Sequence, residues 1–143
     1  VKLRVVIDTN VVISGLLWGG LPNGILKLAR DGIIEVCSTK TICEELAKVL
    51  EYPRFEKRLA ELSLTKEDAV DYYEDIVTLY KENASIEVVK NDPNDDRFIE
   101  AALDSGCSII ISGDEHLLEM KEYQGIMMLS PREFWEVYER IQK

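Results

Sequence analysis

The sequence predicts an α/β fold: a mostly parallel sheet of about five strands, covered by helices on both faces. Three observations predict it. Short apolar runs alternate with stretches whose apolar residues recur at helical spacing. Helix caps or chain breakers separate the two kinds of segment. The 143 residues suffice for one real core and show no linker, internal repeat or low-complexity tract, which predicts a single domain over 1–143. Strands that alternate with helices pair in parallel, because each crossover helix packs back on the sheet.

The elements follow in order. Leu3 to Ile7 is a strand that ends abruptly in Asp8, Thr9 and Asn10. Pro22 suits the first position of a helix carrying Ile25, Leu28 and Ala29, and Gly32 closes it. Ile33 to Cys37 is the second strand. Thr41 with Glu44 has the capping-box spacing and opens a helix with Ile42, Leu46, Val49 and Leu50 on one side, ended by Tyr52-Pro53. Helix is expected again from Arg54 to about Tyr80, broken near Ser63 to Thr65, with Thr65 and Asp68 as a second cap. Ile86 to Val89 is the expected third strand, and Asn91 to Asp96 a turn. A helix with Phe98, Ile99, Ala102 and Leu103 stops at Gly106. Ser108 to Ile111 is the fourth strand, followed by Ser112-Gly113-Asp114 and a short helix. Ile126 to Leu129 is the fifth, and Ser130 with Glu133 caps the last helix.

Composition narrows the class. An apolar fraction of 46% with 31% charged residues is an ordinary soluble mix. No apolar run approaches the roughly 18 residues of a membrane span, and the first residues lack signal-peptide features. A cytoplasmic protein with no membrane contact is expected, although Val1 leaves the natural start open. Cys37, Cys43 and Cys107 are scattered in apolar stretches, which suits reduced core thiols. A single histidine, His116, excludes a histidine-rich metal site. The formal charge of −10 argues against gripping nucleic acid by bulk electrostatics. Bound cations would soften that argument, as would a local basic cluster; Arg54, Lys57 and Arg58, with Lys40 and Arg97 elsewhere, are the candidates.

In parallel sheets, sites form outside the carboxyl ends of the strands. Asp8 and Asp114 stand at such ends, and Asp92, Asp95 and Asp96 follow another. Asp8 is either a helix cap or free for chemistry, since Thr9 and Asn10 can cap in its place. Glu44 faces the wet side beside Lys48, whereas Glu45 falls within the apolar stripe between Ile42 and Val49. A carboxylate directed at a core is costly unless paired or bound to a cation. Spacing does not choose between Asp95 and Asp96. Asp92 reads as a turn residue, His116 as a surface residue, and Tyr72, Tyr73 and Tyr80 as packing. Trp18 reads equally as an exposed contact aromatic or a core residue.

Carboxylates that gather need protons or cations, because two such charges about 4 Å apart repel by roughly 4 kcal/mol at an effective dielectric near 20. Oxygen donors without His or Cys select Mg²⁺ or Mn²⁺. Magnesium on one or two carboxylates suits phosphodiester hydrolysis, since the metal lowers the pKa of a bound water.

The motifs Val-Ile-Asp-Thr-Asn (6–10), Glu-Leu-Ala-Lys-Val-Leu (45–50), Asp-Pro-Asn-Asp-Asp-Arg-Phe-Ile-Glu-Ala-Ala (92–102) and Ile-Ser-Gly-Asp (111–114) are each short. In this order and spacing the chain resembles PIN-domain proteins, similar to the ribonuclease toxins of VapC-type toxin–antitoxin pairs. The resemblance implies a three-layer α/β/α fold and a Mg²⁺- or Mn²⁺-dependent RNase centre. Carried over, Asp8, Glu45, Asp96 and Asp114 are the catalytic, metal-holding acids, supported by Thr9, Asn10 and Ser112; Ser112 stands where threonine is commoner. It further implies an RNA substrate, a cognate antitoxin and a homodimer. Two other readings compete. A phosphoacceptor receiver domain needs paired acids after the first strand and a lysine after the fifth, where this chain has Asp8 alone and Ser130-Pro131. A non-catalytic PIN scaffold for RNA or an antitoxin is opposed by the complete set of acids.

Overall fold

A computed structural model of the chain describes residues 2–83 and 96–142. Its centre is β1 (Leu3–Ile7), whose Val5, Val6 and Ile7 are essentially inaccessible to solvent. β1 pairs in parallel with β2 (Ile34–Ser38) on one side and β4 (Ile109–Ile111) on the other. β3 (Val77–Leu79) extends the sheet beyond β2, and β6 (Ile126–Leu129) beyond β4. The two-residue β5 (Glu122–Tyr123) joins β6 antiparallel, giving the order β3-β2-β1-β4-β6-β5. Eight α-helices among the described residues flank it, making the three-layer α/β/α arrangement. α2 (Gly20–Arg30) packs on α8 (Pro131–Gln142), while α3 (Lys40–Val49) packs on α5 (Lys66–Ile76) and α6 (Asp96–Ser105).

The sheet departs from expectation at two places. The helix expected to run to about Tyr80 stops at Ile76, and Val77-Thr78-Leu79 continues as β3. Two of these three residues are β-branched, and Val77 sits opposite Val36, so pairing with the sheet outweighs another helical turn. The expected strand Ile86 to Val89 lies outside the described residues, as do Asp92 and Asp95. β5 was not expected at all. The expectation of about five strands becomes six among the described residues.

One helix is also new. Thr9–Leu17 is α1, a stretch for which no element is predicted before Pro22. Its Val11-Val12-Ile13 run and Gly15 are poor helix formers. Burial decides the conformation instead: Val12, Ile13 and Leu17 are at most 2% exposed. Gly15 permits the approach of α2, since a Cβ there would lie 2.6 Å from Leu26 Cδ1 and 2.8 Å from the Pro22 carbonyl oxygen. α2 itself starts at Gly20, so Pro22 occupies its third position rather than its first; the proline still falls in the first turn, where a missing N–H costs little. α3 is capped by Thr39, which accepts from the Ile42 amide at 3.3 Å, and not by Thr41. Thr41 lies inside α3 and binds the Glu82 carboxylate through its amide and its hydroxyl, each at 2.7 Å. The capping boxes at Thr65/Asp68 and Ser130/Glu133 form as expected. All three cysteines are buried free thiols.

Candidate active site

The chain crosses from the β2 side of β1 to the β4 side, so β1 and β4 flank the switch point of the sheet. Loops leaving neighbouring strands diverge there and open a crevice at the carboxyl ends. Ile7 pairs with Ile111, and the Asp8 amide donates to the Ile111 carbonyl at 3.0 Å. This register sets Asp8 beside Ser112, Gly113 and Asp114.

Asp8 is buried, at 4% exposure. Its Oδ1 accepts from the Val11 amide at 2.9 Å, so it caps α1; its Oδ2 accepts from the Ser112 hydroxyl and from the Gly113 amide at 3.3 Å. Of the three residues that could cap here, Asp8 is the one that does. Only Asp8 ends the strand with its side chain turned back over the helix; Thr9 and Asn10 are already helical. Burial pushes the Asp8 carboxyl above the usual carboxylate range, and the nearby Asp114 adds to the push. Hydrogen bonds from Ser112, Val11 and Gly113 oppose it. Ser112 Oγ accepts from the Asp114 amide at 2.9 Å, which ties the two aspartates into one hydrogen-bonded unit. Asp114 caps α7 (Glu115–Met120): its Oδ1 accepts from the His116 and Leu117 amides at 2.8 and 3.3 Å.

A second group lies alongside. Glu45 of α3 is largely covered, its side chain 16% exposed, while Glu44 faces solvent. Glu45 Oε2 accepts from the buried Thr9 hydroxyl, and Oε1 meets Arg97 Nη1 at 2.5 Å. Arg97 therefore neutralises the charge that the apolar stripe would otherwise strand. Asp96, the first residue of α6 and 4% exposed, precedes it on a helix that packs against β1 and α3.

The predicted residues thus fall into two connected sets: Asp8, Ser112 and Asp114 in one, Thr9 and Glu45 in the other, with Asp96 next to the latter's arginine. Each set borders its own cleft. Asn10, exposed on α1, joins Gly113, Asp114 and His116 around one of about 440 Å³. Glu45, Lys48, Tyr52 and Arg97 line another of about 280 Å³. Among the described residues no three acids, histidines or cysteines converge tightly enough to cage a cation. Arg97 is the site residue that the sequence flagged only as a stray base. Its place beside Asp96, at the start of an amphipathic helix, was the available signal.

The donor set still suits a hard, hydrated cation. All its donors are oxygens, and Mg²⁺ keeps several waters while resting on one or two carboxylates. Asp8 Oδ1 retains acceptor capacity beyond the Val11 bond, and Asp114 Oδ2 takes no hydrogen bond among the described residues. A buried, proton-hungry carboxylate held, among the described residues, by neutral donors gains from a cation.

Fold and crevice define a parallel α/β domain with carboxylates at its switch point. Residues 4–116 match the PIN domain, and the chain belongs to the PIN-domain family. PIN domains are in general nucleases that typically use divalent metals. The chain is also similar to an uncharacterized protein of Methanocaldococcus jannaschii, at 29% identity over 150 residues that cover 98% of this chain and 94% of the relative.

Proposed function

We propose that the protein is a Mg²⁺- or Mn²⁺-dependent ribonuclease that hydrolyses RNA phosphodiester bonds. The hydrogen-bonded Asp8–Ser112–Asp114 unit at the switch point carries this reading. When bound, the cation would acidify a water and screen the developing phosphate charge. Asp8 and Asp114 would hold it, and the family resemblance adds Asp96 and Glu45 as further acids of the centre. Ser112 holds the Asp8 side chain by donating to it and anchors the backbone of Asp114 by accepting from its amide. Thr9 and Arg97 fix the Glu45 carboxylate in place. The likeness of the four motifs to VapC-type toxins supports a finer role: a single-domain toxin, cytoplasmic and dimeric, silenced by a cognate antitoxin.

The decisive experiment incubates RNA with the protein in Mg²⁺ or Mn²⁺, with a chelator and with Asp96→Asn as controls. Cleavage is expected to need the metal. It should fall by at least about two orders of magnitude in the variant, the scale for losing one charge-stabilising group. Cleavage indifferent to both controls overturns the proposed centre. Growth arrest on expression, absent with Asp96→Asn, tests the toxin role.

A further inference from the structure

The basic segment after α3 supplies none of the acids described above, yet it builds a distinct surface beside them. Trp18, the residue that ends α1, is 46% exposed, and Tyr52 is 43% exposed. Large apolar side chains exposed singly need no explanation. These two belong to one cluster. The Arg54 guanidinium lies 5.6 Å from the Tyr52 ring centre and 4.9 Å from that of Phe55; Arg58 lies 5.8 Å from Trp18. Phe55, buried, meets Trp18 edge-on at 6.3 Å and anchors the group. Arg58 is pinned by donating to the Leu17 carbonyl at 2.6 Å.

We propose that Trp18, Tyr52, Arg54 and Arg58 form a stacking platform for single-stranded RNA, which leads the strand into the cleft beside Glu45. The inference rests on the ribonuclease reading for its substrate. Three observations favour this occupant.

The first is charge. In a chain of net charge −10, Lys48, Arg54 and Lys57 are exposed and have no acid at ion-pair distance among the described residues. Of the acids close in sequence, Glu51 is engaged by Lys66 and Glu61 by Arg58, while Glu44 and Glu56 face solvent. The second is shape. Flat rings next to guanidinium groups are what unpaired bases and their phosphates require, whereas bases inside a duplex are already stacked on one another. The third is continuity. Tyr52 and Lys48 line the same cleft as Glu45 and Arg97. Trp18 stands one α1 length from Asp8, roughly 14 Å at 1.5 Å per residue. A strand lying on the platform thus runs toward the acids.

The test measures binding, with chelator present so that nothing is cut. Tryptophan fluorescence and the anisotropy of a labelled oligo(U) report on the parent protein, Trp18→Ala/Tyr52→Ala, Trp18→Phe and Arg54→Gln, each checked by circular dichroism for folding. The parent should bind oligo(U) more tightly than a blunt RNA duplex, with quenching of Trp18. The double variant should bind about tenfold or more weakly, the scale of losing one or two stacked bases. Trp18→Phe should bind nearly as the parent while losing the Trp18 quench, which separates it from Trp135. Arg54→Gln should lower the salt dependence by about 0.7, the share of one phosphate contact on a single strand. Variants that bind as the parent overturn the platform, as does equal affinity for duplex. A changed oligomeric state with unchanged RNA binding also overturns it and marks a protein interface. Metal-dependent cleavage with unaffected binding in the variants sinks the platform alone. Lost binding in the variants without any cleavage by the parent sustains the platform and sinks the nuclease.

Discussion

Replacing Asp8 by alanine removes an acceptor from three donors at once. The first turn of α1 loses its cap, worth about 1 kcal/mol. The Ser112 hydroxyl and the Gly113 amide lose their acceptor in a buried place, worth about 1–3 kcal/mol together. Removing a buried charge offsets part of this, so the net loss is about 2 kcal/mol, or roughly 6 °C in Tm for a chain of this size. Asp8→Asn keeps an oxygen for Val11, and its amide nitrogen can reverse the Ser112 bond by donating to Oγ; it loses the charge and the weak Gly113 contact, so it should lose about 1 kcal/mol, less than Ala. The pH dependence separates the parent from both variants. A carboxyl raised on folding stabilises most below its unfolded value near about 3.9 and loses that contribution as pH rises through its folded value. Neither variant should show this decline. Mg²⁺ at about a hundredfold above Kd should stabilise the parent by about 2.7 kcal/mol, roughly 8 °C, and the Asn variant hardly at all. Thermal melts of the three proteins, with and without Mg²⁺ or Mn²⁺ and across pH 3–7, supply the measurement. If Asn melts as low as Ala, the hydrogen-bond reasoning is wrong. Equal cation shifts in parent and Asn would remove Asp8 from the metal site.

Arg97→Met leaves Glu45 covered and without its cation, and should cost about 1–3 kcal/mol in urea unfolding; the pair's partial exposure keeps it below the cost of a fully buried one. Gly15→Ala drives a methyl group into Leu26 and the Pro22 carbonyl, and should lower stability by about 1–3 kcal/mol by the same assay. Glu35 is held below the usual carboxylate range chiefly by the Tyr80 hydroxyl, which donates to it at 2.7 Å. Its contribution is present above the unfolded value of about 4.3 and is lost as pH falls through the folded value, so Tyr80→Phe should flatten the acid limb of a stability–pH curve below about pH 4.

The strands were readable because Val5 to Ile7 and Ile109 to Ile111 are uninterrupted apolar runs, buried from both sides. α1 was not, because its residues prefer other conformations and only packing against α2 makes them helical. β3 was hidden for the converse reason: Val77 to Leu79 continues a helical pattern, and its partner β2 is remote in sequence. At the site, the stripe argument separated the covered Glu45 from the exposed Glu44. The cap at Asp8 was ambiguous because three residues able to cap stand in a row. The Arg97–Glu45 pair was out of reach, since the partners are 52 positions apart.

The hydrogen bond from Ser112 to Asp8 joins residues 104 positions apart and depends on β1 and β4 lying in register. A growing chain that has already presented Asp8 and Glu45 still lacks Ser112, Asp114 and the strand that aligns them. The proposed ribonuclease is therefore inert on the ribosome, beside its own message, until the chain has been synthesised past Asp114 and β4 has docked. In refolding, cleavage should return no sooner than the amides of Ile109–Ile111 become protected from hydrogen exchange.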